Sequence, residues 1–83
     1  MYYVYAIKSL VRNYIYVGLT NMLERRISQH NKGQNRSTKA YIPFVLIYFE
    51  TFNTRQEARE KEKYFKSGIG KEFLRNLCTT LRC

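Results

Sequence analysis

Glu62 is hard to read as an ordinary surface residue. It follows Ala58 by four positions and precedes Phe65 by three, so on a helix it shares a face with both apolar side chains. Turning a carboxylate inward costs on the order of several kcal/mol unless something pairs with it. An arginine or a divalent cation would offset that cost; the bland alternative is a buried ion pair, or a side chain snorkelling at the stripe's edge. Glu57 and Glu60 fall on other faces and read as solvated. Arg26 and His30 are four apart and flank Leu23 and Ile27, which puts them on one helical face at the border between core and solvent. An arginine there can hold a phosphate through two parallel hydrogen bonds, and a histidine beside it can donate to the same group or relay a proton. Taken alone, the pair would more often be a plain helix margin. Arg25 lies about 100° away, more toward water.

Tyrosines supply the remaining candidates. Tyr3-Val4-Tyr5 and Tyr16-Val17-Gly18 read as strands, because valine and tyrosine favour the pleated, half-buried backbone. The polar segment from Ser9 to Asn13 turns the chain between them, so the two runs form a hairpin. Alternation along each strand puts Tyr3, Tyr5 and Ile7 on one face, and Tyr14, Tyr16 and Gly18 on one face of the second. With Tyr5 paired near Tyr16, two phenols and a glycine line a single patch. Such tyrosines are more often core residues with satisfied hydroxyls than catalysts. A phenol titrates near 10; a neighbouring arginine and a bound cation would favour the phenolate and let it accept a proton from water.

The elements that must position these residues follow from local signals. Residues Tyr2 to Lys8 and Tyr14 to Leu19 are the first two strands. Asn21 and Glu24 form a capping-box-like pair that opens a helix, which runs to about Lys32 and stops at Gly33. Gln34 to Tyr41 reads as a polar, basic, mobile loop. Ile42 to Glu50 is the third strand, with Pro43 confined to its start; its run Phe44-Val45-Leu46-Ile47-Tyr48-Phe49 is apolar on both faces, so helices should cover both sides of the sheet. Thr54 and Glu57 repeat the capping box and open a second helix, closed by Ser67-Gly68. Lys71 to about Leu81 is a third, with Phe73, Leu74, Leu77 and Cys78 on its buried side. The predicted fold is α/β, a three-stranded, mainly antiparallel sheet in the order β-β-α-β-α-α.

The 83 residues are expected to form one small domain spanning 1–83. Hydrophobic content of 45% supports a real core and argues against disorder. Fifteen Lys and Arg against six Asp and Glu leave a net charge of +9, which points to an anionic partner, nucleic acid first. Cys78 and Cys83 are unaccompanied by a Cys or His cluster, so neither a disulfide framework nor a zinc site is expected, and a reducing cytoplasmic setting is the simplest reading. No apolar run approaches the roughly 18 residues of a spanning helix, and no signal-peptide core is visible. The lone His30 makes no metal site by itself.

Tyr3-Val4-Tyr5, ten intervening residues, Tyr16-Val17-Gly18, then Arg26, His30 and Glu62 resemble the GIY-YIG nuclease superfamily. The resemblance covers residues 2 to about 77, and is strongest to small stand-alone members related to the nuclease domain of the excinuclease C subunit. Asn21-Met22-Leu23-Glu24-Arg25-Arg26 and Glu62-Lys63-Tyr64-Phe65-Lys66-Ser67-Gly68 carry it too. The resemblance implies that Tyr5 and Tyr16 are the motif tyrosines, one of them helping to activate water. It implies that Arg26 steadies the scissile phosphate, that His30 assists proton transfer or phosphate binding, and that Glu62 holds one divalent metal, magnesium or else manganese. Magnesium keeps most of its waters and takes one or two carboxylates, so a single Glu should bind it weakly before substrate phosphate completes the site. The first motif has Tyr3 in place of Gly, which sets a bulky ring beside the site, and the second has Val17 in place of Ile. A family asparagine near the C-terminal end is matched only loosely by Asn76.

The implied function is a metal-dependent endonuclease cutting DNA, branched or damaged DNA in a repair context. The loop from Lys32 to Lys39, including Arg36, and the flanks Lys61, Lys63, Lys66 and Lys71 are the expected phosphate contacts, making binding fall steeply with salt. A chain this short has little surface left for reading a long sequence. The alternatives are a non-catalytic nucleic-acid-binding module and a subunit that acts through a protein partner.

Overall fold

The structure is a computed structural model that describes the backbone of residues 1–81 and the side chains of residues 1–77; the side chains of Cys78 and Cys83 lie outside the described residues. Strands β1 (Tyr2–Ser9), β2 (Ile15–Thr20) and β3 (Phe44–Phe52) alternate with helices α1 (Leu23–Asn31), α2 (Arg55–Lys66) and α3 (Gly68–Leu81) in the expected order. The sheet runs β2-β1-β3 and is antiparallel throughout. Helices lie on both faces, as the doubly apolar third strand requires, though Phe49 stays half exposed. On one face Ala58, Phe65 and Leu74 of the second and third helices pack on Val4, Ala6, Val17 and Ile47. On the other, Leu23 and Ile27 of α1 pack with Tyr5, Ile7 and Phe44.

The register differs from the expected pairing. Tyr5 stands opposite Gly18, and Tyr16 opposite Ile7; on its other side Tyr5 faces Phe49. Gly18, Tyr5 and Phe49 therefore form one row across the face that carries α1. Tyr5 and Tyr16 remain diagonal neighbours, with ring centroids 6.3 Å apart. The reason lies in the turn. Ser9 is buried and its hydroxyl accepts from the amides of Val11 and Arg12 while donating to the Tyr41 carbonyl. That arrangement, closed by Ser9 N–H donating to the Tyr14 carbonyl, sets where the second strand starts.

Three further local expectations are corrected. Asn21 does not cap α1; β2 runs on to Thr20, so Met22 occupies the cap position without a side-chain bond and Thr20 Oγ1 instead accepts from the Met22 amide. The third helix begins at Gly68 rather than Lys71, because Ser67 ends α2 and its hydroxyl also accepts from the Gly70 amide. The segment 34–41, expected to be a loop without regular structure, contains defined turns. Asn35 turns it, Thr38 is fully buried, and Lys39–Tyr41 form a 3-10 turn. The capping box at α2 is formed as expected, with Thr54 Oγ1 accepting from the Glu57 amide and donating to the Glu57 carboxylate, and α1 ends ahead of Gly33 at φ 75°.

Candidate active site

Tyr5 stands at the middle of the α1 face of the sheet. Its ring is 1% exposed, and it fits there because Gly18 opposite carries no side chain. Its hydroxyl lies 3.0 Å from Nε2 of His30. His30 is completely buried, not at the border of core and solvent, because residues 34–41 fold over the end of α1. Its other ring nitrogen, Nδ1, sits 2.9 Å from Thr38 Oγ1. The Thr38 hydroxyl spends its own hydrogen on the Asn35 carbonyl, so it accepts from His30. The proton is thereby placed on Nδ1, leaving Nε2 bare to accept from the Tyr5 hydroxyl. Tyr16 packs against the same imidazole, centroids 4.8 Å apart.

Burial pushes the Tyr5 phenol up to about 12; Arg26 beside it pulls the other way, and the charges of Tyr16 and Glu62 add to the rise. The lowering expected of an arginine and a bound cation together is not supplied by the arginine alone: desolvation outweighs the guanidinium. Burial would lower the Arg26 affinity for its proton, yet the phenol oxygens of Tyr5 and Tyr16 outweigh that and raise it. Arg26 also donates to the Gln29 side-chain oxygen at 3.2 Å. Burial, with the Arg26 charge, pulls His30 down to about 4. The imidazole is thus neutral at pH 7.

His30 is the single histidine of the chain, so imidazole resonances report it without ambiguity. Titration followed by NMR is expected to give a value near 4 in the folded protein and near 6.5 in urea. A folded value below the unfolded one means that the native state favours the neutral ring. Its contribution is complete above pH ~6.5 and is lost as pH falls toward about 4, a swing of roughly 3 kcal/mol. A folded-state titration near 6.5 would contradict the buried, Tyr5-bonded placement.

Glu62 sits on the inward side of α2 with its side chain 17% exposed, 3.0 Å from Lys66. Its charge reaches Tyr5, so carboxylate, phenols and guanidinium belong to one locality although four elements supply them. Among the described residues there is no cluster of three or more His, Cys, Asp or Glu. One accessible carboxylate suits a hard cation that retains most of its waters and draws further oxygens from a phosphate, and does not suit zinc or a tightly held calcium.

Beside Arg26, a cleft of about 390 Å³ opens at the end of β2, lined among others by Arg25, Arg55, Gln29, Asn21 and Met22. The two motif tyrosines are not in its lining. Arg26 therefore joins two environments, a buried tyrosine–histidine network and a cleft that carries three guanidiniums.

A family model of the GIY-YIG catalytic domain matches residues 1–75. The chain belongs to the GIY-YIG family. It shares 42% identity over 67 residues with a UPF0213 protein of Clostridium perfringens, 80% of this chain and 71% of that one. A UPF0213 protein of Bacillus licheniformis is 43% identical over 53 residues, 63% of this chain and 55% of its own length, so the chain spans between about half and seven tenths of these relatives. The solution NMR structure of a UPF0213 protein from Bacillus halodurans superposes with a TM-score of 0.55 at 32% identity, covering 93% of this chain and 85% of that one. Fold and family thus agree with the resemblance drawn from the tyrosine motifs, and this GIY-YIG chain has a nuclease-type domain. Among the described residues no helix is long and apolar enough to cross a membrane.

Of the sequence-predicted basic contacts, Lys32, Arg36, Lys39, Lys63, Lys66 and Lys71 are exposed. Lys61 is half-buried, 3.9 Å from Glu50 and lying over the Tyr64 and Phe65 rings. Lys66 and Lys71 border a second hollow beside Tyr14 and Tyr16. Asn76 is exposed on α3. Sequence reasoning missed Thr38, Gln29 and Arg55; Arg25, expected more toward water, is exposed and lines the cleft. Gln29 had a signal, three residues beyond Arg26. Thr38 and Arg55 had none, since irregular backbone and the packing of two distant elements bring them in.

Proposed function

We propose that this GIY-YIG chain is a divalent-metal-dependent endonuclease that hydrolyses phosphodiester bonds in DNA, acts on DNA structure rather than a long sequence, and serves repair in the cytoplasm. The observation that carries the reading is the position of Arg26, beside both motif phenols and on the wall of the guanidinium-lined cleft. In-line hydrolysis needs an activated water, positive charge on the non-bridging oxygens and help for the leaving oxygen. Arg26, with Arg25 and Arg55 behind it, grips the scissile phosphate. Water attacks phosphorus as the bond to the leaving oxygen breaks; a motif tyrosine oxygen takes the water's proton while that phenol's own proton passes to the leaving oxygen. His30 stays neutral and holds the Tyr5 hydroxyl in place through Nε2. Tyr16, more exposed than Tyr5, orients the water and Arg26. Glu62 would hold the cation, which when bound supplies charge to the phosphate and the leaving oxygen.

The test is cleavage of end-labelled single-stranded, duplex and branched DNA with magnesium or manganese, wild type beside Glu62→Ala prepared identically. Metal-dependent cutting of wild type, lost in Glu62→Ala, is the expected result. Undiminished cutting by Glu62→Ala would remove the carboxylate from the mechanism. Salt-sensitive binding without cutting under either metal would replace the enzyme by a binding module.

A further inference from the structure

The face of the sheet that carries Tyr5 is only partly roofed by α1. Beyond the helix start, Tyr3 and Phe49 remain on that face; Tyr3 is one residue pair further along β1, and Phe49 stands opposite Tyr5 on β3. Their rings lie 6.3 Å apart, tilted by 54°. Phe49 is 49% exposed and Met22 is 52% exposed. Together with Leu23 and Glu24 they line a hollow of about 400 Å³. This hollow shares Asn21 and Met22 with the arginine-lined cleft, so the two adjoin across those residues.

We infer that this aromatic shelf is a nucleobase-stacking subsite, taking one unpaired base of a DNA strand whose phosphate lies in the adjoining arginine cleft. The inference rests on the nucleic-acid reading given above, and adds to it where an unpaired base sits. Three observations carry it. Adjacency to the cleft across Asn21 and Met22 lets a strand gripped at Arg25, Arg26 and Arg55 cross Met22 onto Phe49 and Tyr3. The lining chemistry differs sharply between the halves: guanidiniums attract phosphate, whereas the shelf offers apolar rings and the Glu24 carboxylate, which repels phosphate and can accept a hydrogen bond from an exocyclic amino group. A base rather than a backbone unit fits there, because every base has a face that stacks on an aromatic ring. Lastly, Tyr3 occupies the position where the family motif has glycine. Its ring is used to flank Phe49, so the substitution builds a platform on which an unpaired base, and not an intact duplex, can lie.

The chain contains no tryptophan, so Phe49→Trp creates a single indole reporter on the shelf. Its fluorescence is followed while a short single-stranded DNA oligonucleotide is added with EDTA present, which uncouples binding from cutting. Strong saturable quenching is expected, and little quenching is expected from an oligonucleotide of the same charge with abasic sites. Phe73→Trp, on the opposite face against Tyr48 and Phe65, is expected to respond to neither. Phe49→Ala should weaken oligonucleotide binding about tenfold, measured by anisotropy, and Phe49→Leu nearly as much, since an aliphatic side chain cannot stack. Equal quenching by abasic and normal strands overturns the subsite, as does an unquenched Phe49→Trp that still binds the strand. Cleavage without quenching would sink the shelf and spare the nuclease; quenching without cleavage under metal would do the reverse.

Discussion

Arg26→Ala is expected to lower DNA cleavage by about 10²- to 10³-fold while leaving the protein folded. That is the usual loss when a preorganised donor at the developing charge is removed. The side chain is half-buried and rests between two phenols and Gln29, so its guanidinium is aimed before substrate arrives. Removal also takes away the positive charge that partly counters the burial of Tyr5, and the phenol becomes harder to ionise. Arg26→Lys keeps the charge but not the two parallel N–H bonds, and should recover only a small part of the rate. Two readouts separate chemistry from folding: single-turnover cleavage with saturating DNA, and the urea midpoint of each variant. A cleavage rate within threefold of wild type in Arg26→Ala would take this residue out of the site. A collapse of stability, with the midpoint displaced by more than a surface substitution can explain, would instead make Arg26 a structural residue.

Gly18→Ala is the second large effect. A β-carbon at position 18 would stand 2.5 Å from the Tyr5 hydroxyl oxygen and 2.6 Å from its ring carbon Cζ. Tyr5 has nowhere to retreat, because its ring is buried and its hydroxyl is engaged by His30. Overpacking of this kind costs about 1–3 kcal/mol, which in a domain of this size lowers Tm by about 5–20 °C. The displaced hydroxyl also loses its line to Nε2 of His30, so cleavage falls more than stability alone accounts for when assayed well below the Tm of the variant. Wild-type Tm and wild-type cleavage in Gly18→Ala would show that Tyr5 can move freely and that the Gly18–Tyr5–His30 arrangement is not fixed. The glycine of the second motif is thus explained by the phenol it faces, not by backbone freedom.

What the chain determines by itself is whatever depends on neighbours a few positions away. The order of strands and helices follows from apolar period and from stop signals such as Gly33 and the Thr54–Glu57 box. Strand alternation puts Tyr3 and Tyr5 on one face, and helical spacing puts Glu62 with Ala58 and Phe65 and sets Arg26 one turn from His30. The same local logic named the family. It went astray where local signals competed, as at Asn21, whose capping role was lost when the strand ran one residue further and the helix began at Leu23. Tertiary structure decided the rest, because contacts between distant residues leave no periodic trace. It set the register that faces Tyr5 with Gly18 and Phe49 instead of Tyr16. It buried His30 by folding residues 34–41 across α1, gave it Thr38 as a partner, and so chose which ring nitrogen carries the proton. It brought Arg55, from the start of α2, beside Arg26. It also set the Tyr5 phenol high in the protein without a cation, since the sequence shows which charge comes near a phenol but not how completely water is excluded from it.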